Sequence, residues 1–249
     1  MEMHRLRAAP VANGGAAGAK VDIPLRDIAN ANIYLSVAFN TKVVFIGGRA
    51  VNLLCLHDSR PTHDIDIAIG HRPTPHDYAQ LPKTPGNDGV YFELDRDPSE
   101  IRSRVKLLYH SPTVAKLPDG RMEIDIYYPG YLSSATGFKP KSDVNGISIS
   151  DIVATSETVK VGSMEFNVVN PAMLVLMKYD TWLSRGKGDY NAKDFRDIAN
   201  IVKNHFNNPT QFEEFKAAVM ATERRYVHAK ESEVGALLRE LELSGVHRE

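Results

Sequence analysis

Gly47 and Gly48 are followed sixteen residues on by Asp64-Ile65-Asp66, and residues of these types at that spacing could handle a phosphate chain. Val43 to Ile46 is a short apolar run of buried-strand type that ends at the glycines, where the backbone can turn sharply and approach a ligand closely. Ala50, Val51, Leu53, Leu54 and Leu56 then recur at helical spacing. A helix is expected there, with its free N–H groups and positive end facing whatever sits over the glycines. An anion suits that position. Side chains alternate along a strand, so Asp64 and Asp66 share one face while Ile65, Ile67 and Ile69 take the other. Two carboxylates about 4 Å apart repel by roughly 1 kcal/mol in water and about 4 kcal/mol at an effective dielectric of about 20, so the pair needs a cation or a shared proton. An all-oxygen donor set favours magnesium, with manganese as the alternative, and magnesium is usually held by one or two carboxylates together with substrate phosphates.

Either half of this pattern has an ordinary explanation by itself. A Gly-Gly pair is most often a turn, and an alternating D-I-D is most often the wet face of a half-exposed strand. Their conjunction is far more specific, and it resembles the nucleotidyltransferase (polymerase β-like) superfamily, whose members move a nucleoside monophosphate from a triphosphate to an acceptor. Arg60 and Thr62, ahead of Asp64 and Asp66, resemble the R-x-T-x-D-x-D form of the AbiEii toxin-like branch, which also includes mycobacterial toxins that modify transfer RNA. Many superfamily members carry Gly-Ser where this chain has Gly47-Gly48, so a serine hydroxyl that would touch the triphosphate is missing here. Gly-Gly is common in the toxin-like and aminoglycoside-modifying branches, and its backbone N–H groups can serve the same purpose.

The resemblance implies a third carboxylate on a neighbouring strand. In MEIDIYY, Met122 to Tyr128, the apolar residues Met122, Ile124 and Ile126 alternate with Glu123, Asp125 and Tyr127. Asp125, flanked by isoleucines, is the candidate, and Glu123 is read as solvated. With Asp64 and Asp66 holding one magnesium ion and Asp125 helping to hold a second, the three would form a two-metal catalytic set. The same resemblance implies a nucleotide-binding group of Gly47, Gly48, Arg49, Arg60, Thr62, Lys178 and Asp194. Lys178 matches the lysine that the branch places over the phosphates, although a helical lysine more often snorkels to water. Asp194 belongs to NAKDFRDIANIV, where Lys193-Asp194 and Asp197-Ile198 are in register with the branch's K-D-x-x-D-[IL] motif. Acids and bases one turn apart are also commonly a solvated helix face. The implied reaction is metal-dependent transfer from a nucleoside triphosphate such as ATP to a hydroxyl of transfer RNA, protein or a small molecule. The alternative is an inert nucleotide-binding regulatory or antitoxin-like protein.

Around these residues the chain reads as α/β: a small mixed-sheet nucleotidyltransferase core over residues 21–150, then a hairpin and a helical part over 151–249. Residues 1–20, rich in Ala and Gly, are expected to be a disordered leader. A first helix is expected within Ile23 to Phe39 from Leu25, Ile28, Ala29, Ile33, Leu35 and Val37. Strands are expected at Val90 to Leu94 and Val105 to Tyr109, and a hairpin at Glu157 to Val161 and Glu165 to Val169 around Gly162-Ser163. Asn170-Pro171 marks a helix start, and the glycine-bearing loop with Arg185 and Lys187 could close over a triphosphate. Phe212 to Leu243 reads as two more amphipathic helices.

Composition bounds the partners only loosely. The 249 residues carry 30 basic and 31 acidic side chains, a net charge of -1, so no overall field favours nucleic acid or an anionic membrane. Hydrophobic residues make up 43% of the chain, enough for a proper core. The single cysteine, Cys55, sits among apolar helix positions and reads as an inert buried thiol. No apolar run approaches the roughly 18 residues of a membrane span and the first residues lack the apolar core of a secretory signal, so the expected location is the cytoplasm; no obligatory protein partner is indicated.

Overall fold

The computed structural model of the chain describes residues 22–55, 60–95, 104–129, 143–144, 147–186, 192–205, 209–226, 234–235 and 237–238. The expected leader and most of the loop after Arg185 lie outside these residues, as does much of the segment beyond 226.

Helix α1 (Leu25–Ala38) begins at Pro24, whose fixed φ suits a helix entry. Ile28, Ala31, Leu35 and Ala38 recur at three- and four-residue steps and form its buried stripe. Ile33 and Val37, counted at the sequence level with the apolar positions, fall on the opposite side and are 58% and 75% exposed. After α1 come β1 (Val44–Ile46), all three residues buried, α2 (Gly47–Leu54) and β2 (Asp64–Ala68). Cys55 ends α2 and is buried.

A five-residue helix, α3 (Pro75–Ala79), lies between Gly70 and Asn87, where four prolines leave no periodic signal. It is specified by its ends: Thr74 and Asp77 form a reciprocal capping box, and Pro75 sits in the first turn. The strands β3 (Tyr91–Leu94), β4 (Arg104–His110) and β5 (Met122–Tyr127) form an antiparallel meander with matched registers. Short β6 (Asp143–Val144) and β7 (Ile147–Ser148) pair separately and lead into α4 (Ile149–Ala154). The hairpin is β8 (Glu157–Val161) and β9 (Met164–Val168), turning at Gly162.

The seven strands of the main sheet run in the order β3-β4-β5-β2-β1-β9-β8. It is mixed, as expected for an α/β fold: β2 and β5 are parallel, β1 and β9 are parallel, and the other neighbours are antiparallel. The hairpin therefore continues the same sheet through β9. Ile65, Ile67, Ile124, Ile126 and Phe45 supply fully buried core side chains, and Phe45 meets Phe166 of β9 edge-on.

Three long helices complete the described fold: α5 (Pro171–Gly186), α6 (Lys193–His205) and α7 (Pro209–Tyr226). Asn170 caps α5, its Oδ1 accepting the Ala172 N–H at 2.9 Å. Every residue from Ala172 to Lys178 is buried, so α5 is a central helix, packed against α2, α6 and α7. No described helix is long and apolar enough to cross a membrane.

Candidate active site

Strand register brings the acids together. β2 and β5 run parallel with Asp66 directly beside Asp125 and Asp64 beside Glu123, so all four belong to one face of two adjacent strands. On that face Asp64 is exposed and Asp66 and Asp125 are half-buried, while the isoleucines between them are buried beneath. Tyr127, two residues on from Asp125, shares the face and places its hydroxyl 3.5 Å from Asp66 Oδ1. Glu123 turns to Lys106 and Arg121 and takes no part in the cavity lining, in keeping with its solvated reading.

β1 meets β2 antiparallel with Ile46 opposite Asp66, so the chain leaves β1 beside the aspartate pair. Gly47 then adopts φ +65°, and a Cβ placed there would lie 2.3 Å from Asp66 Oδ2. Only glycine tolerates both the left-handed backbone and that contact. A Cβ at Gly48 would stand 3.2 Å from both Arg60 Nη2 and Thr62 Oγ1. A serine at position 48 would therefore crowd Arg60 and Thr62, which gives the Gly-Gly form a steric reason. Ile46 provides no side-chain cap to α2, so the first N–H groups of that helix receive no side-chain oxygen from the N-cap residue.

Together these residues line a cavity of about 360 Å³. Asp64, Asp66, Asp125 and Tyr127 of the sheet and Gly47 and Gly48 at the start of α2 form one side of it. Met177, Lys178 and Thr181 of α5 and Lys193 and Asp194 of α6 close it from the helical side, together with Arg60 from the segment before β2. Asp64, Asp66 and Asp125 thus face Arg60, Lys178 and Lys193 across the cavity, with Asp194 among the cations, so both charges a metal-bound polyanion would meet are present. Among the described residues, no three His, Cys, Asp or Glu side chains already form a group that could hold a metal ion. The donor set is nonetheless all oxygen, and one or two carboxylates completed by phosphate oxygens is the usual environment of magnesium.

Two of the expected nucleotide-binding residues stand apart from the lining. Arg49 is 3% exposed and points away from the cavity, donating to the Thr62 carbonyl at 2.6 Å and to Asp22 Oδ1 at 3.0 Å. Thr62 is buried as well, its Oγ1 3.4 Å from Asn52 Nδ2. Both brace the approach to β2 from behind Gly48, and Asp22 and Asn52 join them there. Arg185 and Lys187 lie where no side chain is described.

Lys178, far from snorkelling, is 6% exposed and bound to two acids of α6: Asp197 Oδ2 at 2.6 Å and Asp194 Oδ1 at 3.4 Å. Asp197 also receives Arg60 in a fork, Nε to Oδ1 and Nη2 to Oδ2, each at 3.1 Å. Sequence reasoning placed Asp197 in a motif without a role; only its three-residue spacing from Asp194 hinted that the two share a helix face. Lys193 and Tyr127 were within reach, one adjoining Asp194 and the other alternating with Asp125, whereas nothing local marked Thr181 or Met177.

The sequence model of the nucleotidyl transferase AbiEii toxin, type IV TA system, matches residues 34–245. The chain belongs to this AbiEii nucleotidyltransferase family. The match runs from α1 through α7 and so includes every residue that lines the cavity. No curated protein matches the sequence significantly. Among solved structures, an antigenic nucleotidyltransferase-like protein from Paracoccidioides brasiliensis is similar at 17% identity and a TM-score of 0.47, over 88% of this chain and 95% of that one. The antibiotic-resistance factor ANT(2'')-Ia matches at 9% identity and a TM-score of 0.42, over 82% of this chain and 95% of its own. The same protein in complex with adenylyl-2''-tobramycin matches at 10% identity and a TM-score of 0.46, over 80% and 99%.

Proposed function

We propose that this member of the AbiEii family transfers a nucleoside monophosphate from a nucleoside triphosphate to an acceptor hydroxyl, releasing pyrophosphate. The observation that carries the reading is the register of Asp66 beside Asp125 on a face that opens onto the Gly47-Gly48 turn, opposite Arg60 and Lys178 in one cavity. Family membership supports nucleotidyl transfer in general.

In this reading the α2 N–H groups, Arg60 and Lys178 bind the β- and γ-phosphates, and the buried pairing of Lys178 holds its ammonium toward the cavity. Asp64, Asp66 and Asp125 would hold magnesium, which when bound neutralises the phosphates and polarises the phosphorus. Asp125, beside Asp66 on β5, would accept a hydrogen bond from the incoming hydroxyl and take its proton. A bond forms from the acceptor oxygen to the α-phosphorus, the bond from that phosphorus to the β-bridging oxygen breaks, and pyrophosphate leaves with the electron pair. Tyr127 steadies Asp66 through its 3.5 Å contact.

Incubation of the protein and magnesium with each α-labelled ribonucleoside triphosphate, in the presence of RNA, protein or a small-molecule extract, tests the reading. Label should enter one of these fractions with stoichiometric pyrophosphate, and Asp66→Ala should abolish it. No transfer into any fraction, or undiminished transfer by Asp66→Ala, refutes the assignment.

A further inference from the structure

Asp197 is buried at 2% exposure and lies at the centre of the charged cluster on the helical wall. It holds both Arg60 and Lys178, at 3.1 Å through two bonds and at 2.6 Å through one. Arg60 is 137 residues away in sequence and approaches the Gly48 Cβ position to 3.2 Å, so its guanidinium stands over the first turn of α2. Two of its five donors are taken by Asp197, and the same guanidinium borders the cavity.

We infer that Asp197 is a positioning residue that presents Arg60 and Lys178 to the triphosphate as a preformed pair, a role that rests on the nucleotide-binding reading above. Arginine and lysine side chains lose much rotamer freedom when a ligand orders them, and a fork fixed beforehand removes that cost from binding. Without Asp197 the two cations would also repel each other across the cavity. Its negative charge does oppose the incoming phosphates. That opposition is offset at source, because each carboxylate oxygen already faces a cation. Asp194 has a looser hold on Lys178, at 3.4 Å, and is the contact that a phosphate oxygen would replace.

The probe is inorganic tripolyphosphate with magnesium, which carries the phosphate chain of any nucleoside triphosphate without its base. Calorimetric titration of the wild type, Asp197→Asn, Arg60→Ala and the double variant forms a cycle. Asp197→Asn should weaken tripolyphosphate binding about tenfold, and the double variant should lose clearly less than the sum of the two single losses, because part of the effect of Asp197 passes through Arg60 and the rest through Lys178. Additive losses, or tighter binding by Asp197→Asn, would overturn the proposal while leaving the nucleotide site intact. If the wild type fails to bind tripolyphosphate, the nucleotide reading falls and this inference falls with it. Should Asp197→Asn fail to fold, Arg60→Lys decides: it keeps the charge and loses the fork, so wild-type affinity in that variant overturns the role and a clear loss supports it.

Discussion

Replacing Gly47 by alanine sets two effects of a single methyl group apart. At φ +65° an L side chain carries a backbone penalty of about 1–2 kcal/mol. For a protein of this size each kcal/mol lowers Tm by about 2–4 °C, so the backbone alone accounts for a drop of about 2–8 °C. The second effect is local. The new Cβ would lie 2.3 Å from Asp66 Oδ2, and real Cβ contacts are essentially never below about 3.0 Å, so the carboxylate must retreat by roughly 0.7 Å. Misplacement on the order of 1 Å at a reacting centre can cost about a hundredfold in rate, so kcat/KM for nucleotidyl transfer should fall by at least tenfold. Gly162→Ala is the matched control: its φ is +62° and nothing lies within 4 Å of the added Cβ, so it should lose similar stability and no activity. Thermal melting and initial-rate assays on both variants separate the effects. Wild-type turnover by Gly47→Ala, or an equal rate loss in Gly162→Ala, would refute the idea that the Gly47 turn exists to admit the Asp66 carboxylate.

Asp125→Asn should lower kcat with little change in triphosphate affinity, because the contribution assigned to Asp125 belongs to the transition state; an equal loss in both, read from single-turnover rates and equilibrium binding, would show the role to be wrong. Lys178→Ala should raise the dissociation constant for the triphosphate about tenfold, as expected for a charge-assisted bond of about 1.5 kcal/mol. It should also lower stability, by about 3–5 kcal/mol in denaturant titration, since Asp194 and Asp197 are left buried with one cation fewer; an unchanged midpoint would contradict the buried pairing. Burial, and then the negative charge of Asp27, push the Tyr109 hydroxyl above the ordinary tyrosine range, and this hydroxyl donates to Asp27 Oδ1 at 3.0 Å. Because the folded value is the higher one, its stabilisation is complete below about pH 10 and is lost as pH rises toward the folded value, so Tyr109→Phe should flatten the alkaline limb of the stability curve; an unchanged slope above pH 10 would exclude that coupling.

Much of the fold was legible because local periodicity and chain-reversal signals act over a few residues. Alternation in Asp64-Ile65-Asp66 and in Met122 to Tyr127 identified both strands and the face each acid takes. The Gly162-Ser163 turn marked the hairpin, and Asn170-Pro171 the start of α5. α3 escaped notice because five residues hold too little period to register, although its capping box was present in Thr74 and Asp77. Ile33 and Val37 were assigned to the apolar side of α1 on hydropathy alone, and the helix phase set by Ile28 and Leu35 turns them outward.

By itself, then, the amino-acid order determined where most strands and helices lie, which acids share a strand face, and that a turn precedes the first acidic strand; the contacts that require glycine in that turn belong to the tertiary structure. Tertiary structure alone decided which of those faces meet. The parallel register of β2 and β5 places Asp66 beside Asp125, 59 positions further along the chain, and depends on how whole sheets and helices pack. Arg49 and Arg60 look equivalent in sequence, each beside a motif, yet one is turned inward to a backbone carbonyl and the other toward the cavity. That difference arises because an arginine's direction is set by the nearest acceptor in space, Asp22 and the Thr62 carbonyl for Arg49 and Asp197 for Arg60, and Asp197 takes its place only once α6 has docked against α2.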